Sequence, residues 1–586
     1  VLSPFIAYGL SQEYRIRKPR IGSEQNIFLR SLSRSIFAYF EDFVNESTNY
    51  LVCDNYQEDP FIGVAKKTSP TNIGMSLTSF VSGRDFGFIT LIDMVDKLKH
   101  ILDSIDMLPT HRGHLYNWYD IENNISLCNR YISTVDSGNL LASYYLVRKS
   151  LEDMLNKPII HIDLIKTFEE LSYLSSNFSK DHLYRDIIAS GFMCTDYSSY
   201  INFLKNMLNE SNKNIDSLSK NGDDVYWHIK INETSNSFLN EILGLTCNIN
   251  EINNFKINKF GQLFIDVNLN ELEKKILEYK LNYNNSSVRN ELVDIRISNI
   301  LDNIKRLTGN IYSLIDRLSS KINLMDFKFL YNDRKNLLSI GYDCDNDRLD
   351  ENCYDLLASE VRIASFLGIA KEDISIDHWF KLGRNGIKQN GTCSLLSWSG
   401  TMFEYLMPML YMRAYPGTMF FDTYRGCVLS QIKYASLNKI PFGISESCFY
   451  ELDSELNYQY KAFGVPNLSI KKDLDNLVVS SYSSIMSLMV DYVSSMKNLN
   501  VLRKLGALGR YGFYEALDFT KSRINNNNGY CIVKNYMAHH QGMSLMALSN
   551  LLMDDVFQSR FENIVDVQSI GELLNESSLN INIKKD

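Results

Sequence analysis

Helix breakers are scarce in this chain. It carries 29 glycines and 10 prolines in 586 residues, about 7% where an average protein has ~12%. A β-sandwich, barrel or propeller needs a turn every ten residues or so and uses many more of both. The chain therefore predicts long uninterrupted elements, most of them helical. Disorder is excluded by the same composition, because 45% of residues are apolar and 12% aromatic, enough to bury a large core.

Charge and cysteine usage narrow the partners. With 60 Lys and Arg against 69 Asp and Glu, the formal charge is −9. A mildly acidic chain lacks the cations that supply nucleic-acid affinity, so a neutral substrate or small molecule is the better fit. The 10 cysteines show no CxxC spacing, even at the closest pairs such as Cys344 and Cys353, which reads as a reducing compartment without a zinc ribbon. No run of eighteen apolar residues occurs, so no membrane span is expected. The chain starts at Val1 with a basic strip, Arg15, Arg17, Lys18 and Arg20, and no apolar leader. That reads as a solvated linker on a piece of a longer protein, with juxtamembrane anchoring as the sharper alternative.

Residues 1–25 are expected to be linker, 26–575 one domain, and 576–586 a tail. From Asn26 to Val44 the positions Ile27, Phe28, Leu32, Ile36, Phe37, Phe40 and Phe43 recur at helical spacing. Similar patterns predict helices over 72–84, 87–107, 137–155, 160–175, 183–190, 198–212, 269–282, 288–323 and 350–370. Further helices are expected over 400–414, 422–437, 483–497, 500–508, 513–522 and 535–554. The stretch 200–325 is rich in Asn, Lys, Ser and Ile and reads as helical padding with little chemistry. Phe327–Asn332 and Leu337–Tyr342 flank Asp333-Arg334 as a short β-hairpin. Many helices joined by aromatic-rich loops suggest an all-α toroid, with inner and outer helix rings, extra helices and a cleft at one end. No fixed repeat period supports a solenoid.

Three loop clusters combine rings, amides and carboxylates. They are His111 to Asp120, Ser133 to Asn139, and Tyr511 to Glu515 together with Met537 to Gly542. Flat rings cover the apolar faces of a sugar, while Asp, Asn, Gln and Arg satisfy its hydroxyls. His539-His540 has neither the i, i+4 spacing of a chelating pair nor a partner ligand nearby, so no metal and no cofactor are expected. Glycoside chemistry needs two carboxyl groups, one kept protonated by an apolar setting. Glu360, expected on an apolar helix, suits the proton holder. Glu446, in the loop Pro441 to Ser447 with two serines to hydrogen-bond it, suits the ionised partner. Spacing alone does not rank Glu404, Asp136, Asp120 and Glu515 as further candidates.

The strings DNYQEDP, TSPTNIG, GRDFGF, THRGHLYNWYD, STVDSGNL, ENCYDLLASEVRIASF, SWSGTMFEYLMP, PFGISES, YQYKAFGVP, GRYGFYEALDFT and YMAHHQGM resemble one family. It is the central glycoside-hydrolase-like region of bacterial cyclic β-1,2-glucan synthases, related to endo-β-1,2-glucanases. The resemblance covers about 26–150 and 325–565. It implies an (α/α)6 toroid that cuts linear β-1,2-glucan and rejoins the new end to the same chain, making a ring with retention at the anomeric carbon. It further implies Glu360 as acid/base and Glu446 as nucleophile. Trp118, Tyr119, Trp398, Tyr511, Phe513 and Tyr514 would form an aromatic platform. Arg84, Asp85, Asn117, Asp120, Asp136, Asn139, Glu404, Glu515, His539, His540 and Gln541 would bind sugar hydroxyls. The implied partners are β-1,2-glucan as donor and acceptor and the other domains of a membrane-bound synthase. The implied place is the cytoplasmic side of the inner membrane, with this chain alone soluble. A hydrolytic endo-β-1,2-glucanase and a non-catalytic glucan-binding module are the alternatives. Gly113, Gly138, Gly400, Gly443, Gly512 and Gly542, with Pro60, Pro70 and Pro441, are read as loop punctuation around that cleft.

Overall fold

The computed structural model describes residues 19–127, 129–159, 163–176, 184–194, 197–217, 223–245, 267–284, 291–389, 391–471, 476–524 and 528–583. Arg15, Arg17 and Lys18 of the basic strip, most of the expected linker and the last three residues of the expected tail lie outside them. The described chain is helix-rich, as the shortage of breakers predicts. Its principal helices are α1 (Ser23–Phe43), α2 (Pro70–Phe86), α3 (Leu91–Met107), α4 (Thr134–Met154), α5 (Asp163–Ser175), α6 (Tyr197–Ser217), α7 (Asp223–Leu245), α8 (Leu269–Asn284) and α9 (Glu291–Leu324). They continue with α10 (Arg362–Ala370), α11 (Met402–Leu406), α12 (Met419–Asn438), α13 (Ser481–Met486), α14 (Tyr492–Lys504), α15 (Ala538–Leu552) and α16 (Val556–Glu562).

Six of these pack in an arc that runs α11–α13–α15–α2–α4–α10. No comparable contact joins α10 to α11, so these helices do not close into a barrel among the described residues. The arc is tight where glycine sits inside a helix. A Cβ on Gly138 of α4 would lie 2.6 Å from Cβ of Ala364 on α10, and one on Gly542 of α15 would lie 2.5 Å from Cβ of Met75 on α2. These two glycines are therefore helix-packing positions and not the loop punctuation expected of them. Helices α1, α3, α9, α12 and α14 each pack against a member of the arc.

Short strands feed several of these helices. Strands β1 (Asn55–Asp59) and β2 (Gly63–Val64) come first, and β3 (Tyr131–Ser133) runs directly into α4. The third strand pairs with β4 (Gly341–Asp343), which pairs in turn with β5 (Arg348–Leu349). Next come β6 (Ser447–Leu452) and β7 (Tyr458–Lys461), an antiparallel hairpin. The last three are β8 (Val478–Ser480), β9 (Ala516–Asp518) and β10 (Cys531–Met537). An antiparallel sheet has the order β8-β9-β10-β1-β2, and β8 and β10 pass without a linker into α13 and α15.

Several expectations are corrected. The helix expected from 350 begins only at Arg362, because the backbone of 352–357 is engaged elsewhere. The amide N–H of Tyr354 donates to Leu338 (2.9 Å) and that of Leu357 to Gly383 (3.1 Å), while Asn352 accepts from Ile340 (3.0 Å). The helix expected over 513–522 is instead β9, held between β8 and β10. That expected over 400–414 stops at Leu406 before Pro408, which cannot donate to a continuing helix. The hairpin near 330 is present but short, with Leu337 and Leu338 paired to Asn332 and Tyr331. Residues 576–583 are not a loose tail. Glu576 bonds Arg384 through both carboxyl oxygens (2.6 and 2.9 Å), and Asn582–Ile583 pairs with Asn385 and Gly386.

The stretch 200–325 is largely helical where it is described, and it lines none of the cavity described below. Helix α9 buries Ile297, Ile300, Ile304, Leu307, Ile311, Leu314, Leu318 and Ile322, an apolar stripe at helical spacing. It packs along α4 and reaches α3, where Arg317 bonds Asp106 at 2.6 Å. Lys371 caps the carboxyl end of α9 by donating to Ile322 O at 2.7 Å.

Candidate active site

One cavity of about 360 Å³ collects the amino ends of four of the arc helices and the turn before a fifth. Its walls carry Ser69 and Thr71 at the start of α2, Val135, Asp136 and Asn139 at the start of α4, Phe403 at the start of α11, and His539 at the start of α15. Glu360 lies in the turn just before α10. Glu446 lies in the loop just before β6, and Asp54, Lys67, Asn117, Trp118, Tyr354 and Tyr460 complete the polar lining. Helix amino ends present unpaired N–H groups and partial positive charge, so a cluster of carboxyl groups is partly compensated here.

The loop that presents Glu446 is held almost atom by atom. The Gln431 side chain of α12 clamps Ile444, donating to its carbonyl (2.7 Å) and accepting from its N–H (2.9 Å). Asn498 of α14 does the same for Phe442, accepting at 3.1 Å and donating at 2.8 Å. Tyr482 Oη donates to the Glu446 carbonyl at 2.9 Å. Gly443 has φ of +129°, and a Cβ there would lie 2.9 Å from Ser480 O, so glycine is required on both counts. Carboxylate position is thus fixed through the backbone, which suits a group that must meet substrate at one angle.

Electrostatics separate the two glutamates. Burial first, then the charges of Glu446, Asp136 and Glu404, push Glu360 well above the usual carboxylate range. Burial raises Glu446 only to about 7, helped by Glu404, Asp136 and Glu515 and opposed by the Tyr460 hydroxyl. Glu360 therefore keeps its proton where Glu446 gives its own up. Asp136 accepts from Thr71 Oγ1 at 2.6 Å and is raised by burial, and Asp54 is raised by burial against the pull of Lys67. Lys67 Nζ is 3.8 Å from Asp54 and 4.5 Å from the centre of the Trp118 ring, so it bridges a carboxyl and an aromatic wall. Among the described residues no group of three or more His, Cys, Asp or Glu is placed to hold a metal ion.

Seven residues singled out in the sequence, Asn117, Trp118, Asp136, Asn139, Glu360, Glu446 and His539, line this cavity. The others lie elsewhere. Arg84 donates to Ile159 O at 2.5 Å, and Asp85 pairs with Arg560 at 2.8 Å, both at a separate cavity. Tyr119 is buried with its hydroxyl on Pro109 O (2.6 Å), and Asp120 caps its own turn by accepting from the N–H groups of Glu122 and Asn123 at 2.9 and 2.8 Å. Tyr511 is buried against Asp42 (2.9 Å), Phe513 is core, and Tyr514 bonds Glu58 at 2.6 Å. Trp398 is exposed and donates to Asp355 at 3.0 Å. Glu404 is the capping-box residue of α11, accepting from Ser399 and Thr401. Glu515 and His540 lie behind the cavity wall, and Gln541 is buried in α15.

Asp54, Lys67, Thr71, Tyr354 and Tyr460 were not singled out in the sequence. Each falls inside or next to a motif string quoted above, and that adjacency was the available signal.

Fold and cavity define a glycoside-hydrolase-like protein with a carboxyl-lined cleft. Residues 352–565 match the family model described as putative glucoamylase. The endo-β-1,2-glucanase of Chitinophaga pinensis, solved with sophorotriose and glucose, superposes with a TM-score of 0.56 at 12% identity, covering 94% of this chain and 98% of that one. A putative glucoamylase from Bacteroides fragilis gives 0.55 at 12% identity, covering 97% and 100%. The chain is a homologue of cyclic β-(1,2)-glucan synthase NdvB of Rhizobium meliloti (strain 1021), at 33% identity over 589 residues and 98% of its own length. It spans only 19% of that synthase, about a fifth.

Proposed function

We propose that this chain is a retaining β-1,2-glucan transglycosylase that closes a linear chain into a ring, working on a scaffold of the (α/α)6 type whose arc of helices, among the described residues, stays open between α10 and α11. The observation that carries the reading is the pairing of Glu360 and Glu446 in one cavity with unequal hold on their protons. In the first step Glu360 protonates the glycosidic oxygen as Glu446 attacks the anomeric carbon. The carbon–oxygen bond to the leaving sugar breaks, and a glucosyl ester forms on Glu446. Glu360, now a carboxylate, takes the proton of an incoming 2-hydroxyl, whose oxygen displaces Glu446. Asp136, Asn139, Thr71, Asn117 and His539 offer hydrogen bonds to hydroxyls, and Trp118 a flat face. The acceptor belongs to the same chain, and its attack is favoured over water by proximity.

On this reading, linear β-1,2-glucan yields cyclic product without new reducing ends. Reducing sugar that rises in step with cleavage would make the chain a hydrolase instead. That second reading has its own support in the endo-β-1,2-glucanase fold neighbour. As one part of a larger synthase, the chain would act on the cytoplasmic side of the inner membrane beside its other domains. No described helix is long and apolar enough to cross a membrane.

A further inference from the structure

Behind Glu446 three side chains make a continuous polar line that the steps above leave unused. Glu515, buried on the residue before β9, faces His540 Nδ1 with both oxygens, at 2.9 and 3.0 Å. His540 Nε2 is 3.4 Å from Tyr460 Oη, and Tyr460 lines the same cavity as Glu446, whose proton it helps to release. Tyr482 stacks on His540 at 3.7 Å and 12°, fixing the imidazole plane.

Counting protons along this line gives it a direction. Asn72 Nδ2 donates to Asp54 at 2.9 Å, so Asn72 Oδ1 is left as an acceptor for His539 Nδ1, 3.2 Å away. His539, held neutral by burial and by His540, thus carries its proton on Nδ1. Its Nε2 lone pair faces Tyr460 Oη at 3.3 Å and competes with Glu446 for the single hydroxyl proton. His540 decides the balance. With a proton on Glu515, the carboxyl donates to Nδ1, and Nε2–H donates to the Tyr460 oxygen. With Glu515 ionised, Nδ1–H turns to the carboxylate, and a second lone pair competes for the Tyr460 proton.

We propose that Glu515 and His540 are positioning residues that, through the His540 tautomer, leave the Tyr460 hydroxyl proton free for Glu446 across the shared cavity. This rests on Glu446 being the reacting carboxylate. Burial raises Glu515 to about 8, with only the Cys448 N–H opposing, so the donating arrangement belongs to neutral and lower pH. The ionisable groups around the pair are Cys448 on β6, Tyr460 on β7, Tyr482 on α13, His539 on α15, Glu446, and Asp54 with Lys67. Of these Lys67 alone is a cation, and its contact is with Asp54.

Glu515→Gln is the decisive variant, because a glutamine can accept from Cys448 and still donate to His540 Nδ1 at every pH. Its turnover near pH 6 should stay within about threefold of wild type, with its alkaline limb moved up and reduced to one proton, since only Glu360 then remains to titrate. Superimposable profiles would overturn the proposal. Tyr460→Phe should lower kcat about 10- to 100-fold with KM within twofold, and an unchanged kcat would count against it. A measurement without substrate keeps the two ideas separable. In ¹⁵N-histidine-labelled protein, the resonance lost in His540→Asn should pass from the Nε2–H to the Nδ1–H tautomer between about pH 6 and about pH 9.5 in wild type, and stay fixed in Glu515→Gln. A constant wild-type tautomer sinks the relay whatever the activity. Absence of any action on β-1,2-glucan with a titrating tautomer sinks only the proposed function.

Discussion

Helices α4 and α9 lie against one another, yet they are built on opposite plans. Along α9 apolar residues recur every three or four positions, and the rest of the surface faces water. Helix α4 shows no such stripe: it buries Thr134, Ser137, Asn139 and Ser143 beside Leu140, Leu141 and Tyr145. A helix covered on one side needs one apolar face, whereas one covered on nearly all sides must satisfy its polar groups internally. Thr134 does so by donating to Ser339 O at 2.6 Å, and Ser143 by donating back to Asn139 O at 2.9 Å. The amino end of α4 also meets the cavity, and α9 contributes nothing to the cavity lining. Chemistry and fold maintenance are thus carried by different helices, and substitutions should separate them.

The largest effect is expected at the cavity. Glu360→Gln should cut kcat at least about 1,000-fold, near 4 kcal/mol, with melting temperature unchanged or raised, because it removes a carboxyl from a crowded cluster. A loss under tenfold would remove Glu360 from the chemistry. On the other side of the comparison, Ile304→Ala in α9 should cost about 2–4 kcal/mol of stability by leaving a cavity, read by denaturant unfolding. Its kcat should not change, and a large kcat loss in the folded variant would blur the division drawn here.

Protonation sharpens the same contrast. Activity should rise as pH climbs through about 7, where Glu446 ionises, changing about tenfold per unit below that point. An acid limb placed at the ordinary carboxylate range would show that the cavity does not hold the Glu446 proton. The sign for stability is opposite. Because Glu446 and Glu515 sit above their unfolded values, at about 7 and about 8, their protons stabilise the fold most fully below about pH 4.5. That contribution is lost as pH rises through the two folded values. Melting temperature should therefore fall from about pH 5 to about pH 8, and Glu515→Gln should flatten the slope. The smallest effect belongs to a motif residue outside the cavity. Asp120→Ala should lose about 1 kcal/mol through its turn cap and leave kcat within twofold, measured on the same substrate.

The sequence made α9 legible to within a few residues, because one-sided burial writes a period into the chain, whereas α7 was not among the expected helices and α14 was expected as two. It was least legible where burial is two-sided or where β-pairing overrides local preference. The turn holding Glu360 looks helical by composition, and only the backbone partners of 352–357, distant in the chain, show otherwise. The carboxyl pair was legible through its motif strings. The roles of Tyr119, Tyr511 and Glu404 were not, since a tyrosine in a polar loop reads the same whether it faces a sugar or a backbone carbonyl. His540 and Glu515 were noticed, but their bond joins residues in separate strings, and no spacing rule connects them.

The Gln431 clamp on Ile444 makes the Glu446 loop a gauge of helix register. Gln431 belongs to α12 and Glu446 to the end of a loop, and two hydrogen bonds lock Gln431 to Ile444, two residues before Glu446. Sliding α12 along its axis by one residue, about 1.5 Å, would break both bonds at once. The outward face of α12 is free to change its amino acids, but the helix is not free to change its phase. An insertion or deletion anywhere in α12 ahead of Gln431 would be read out at Glu446.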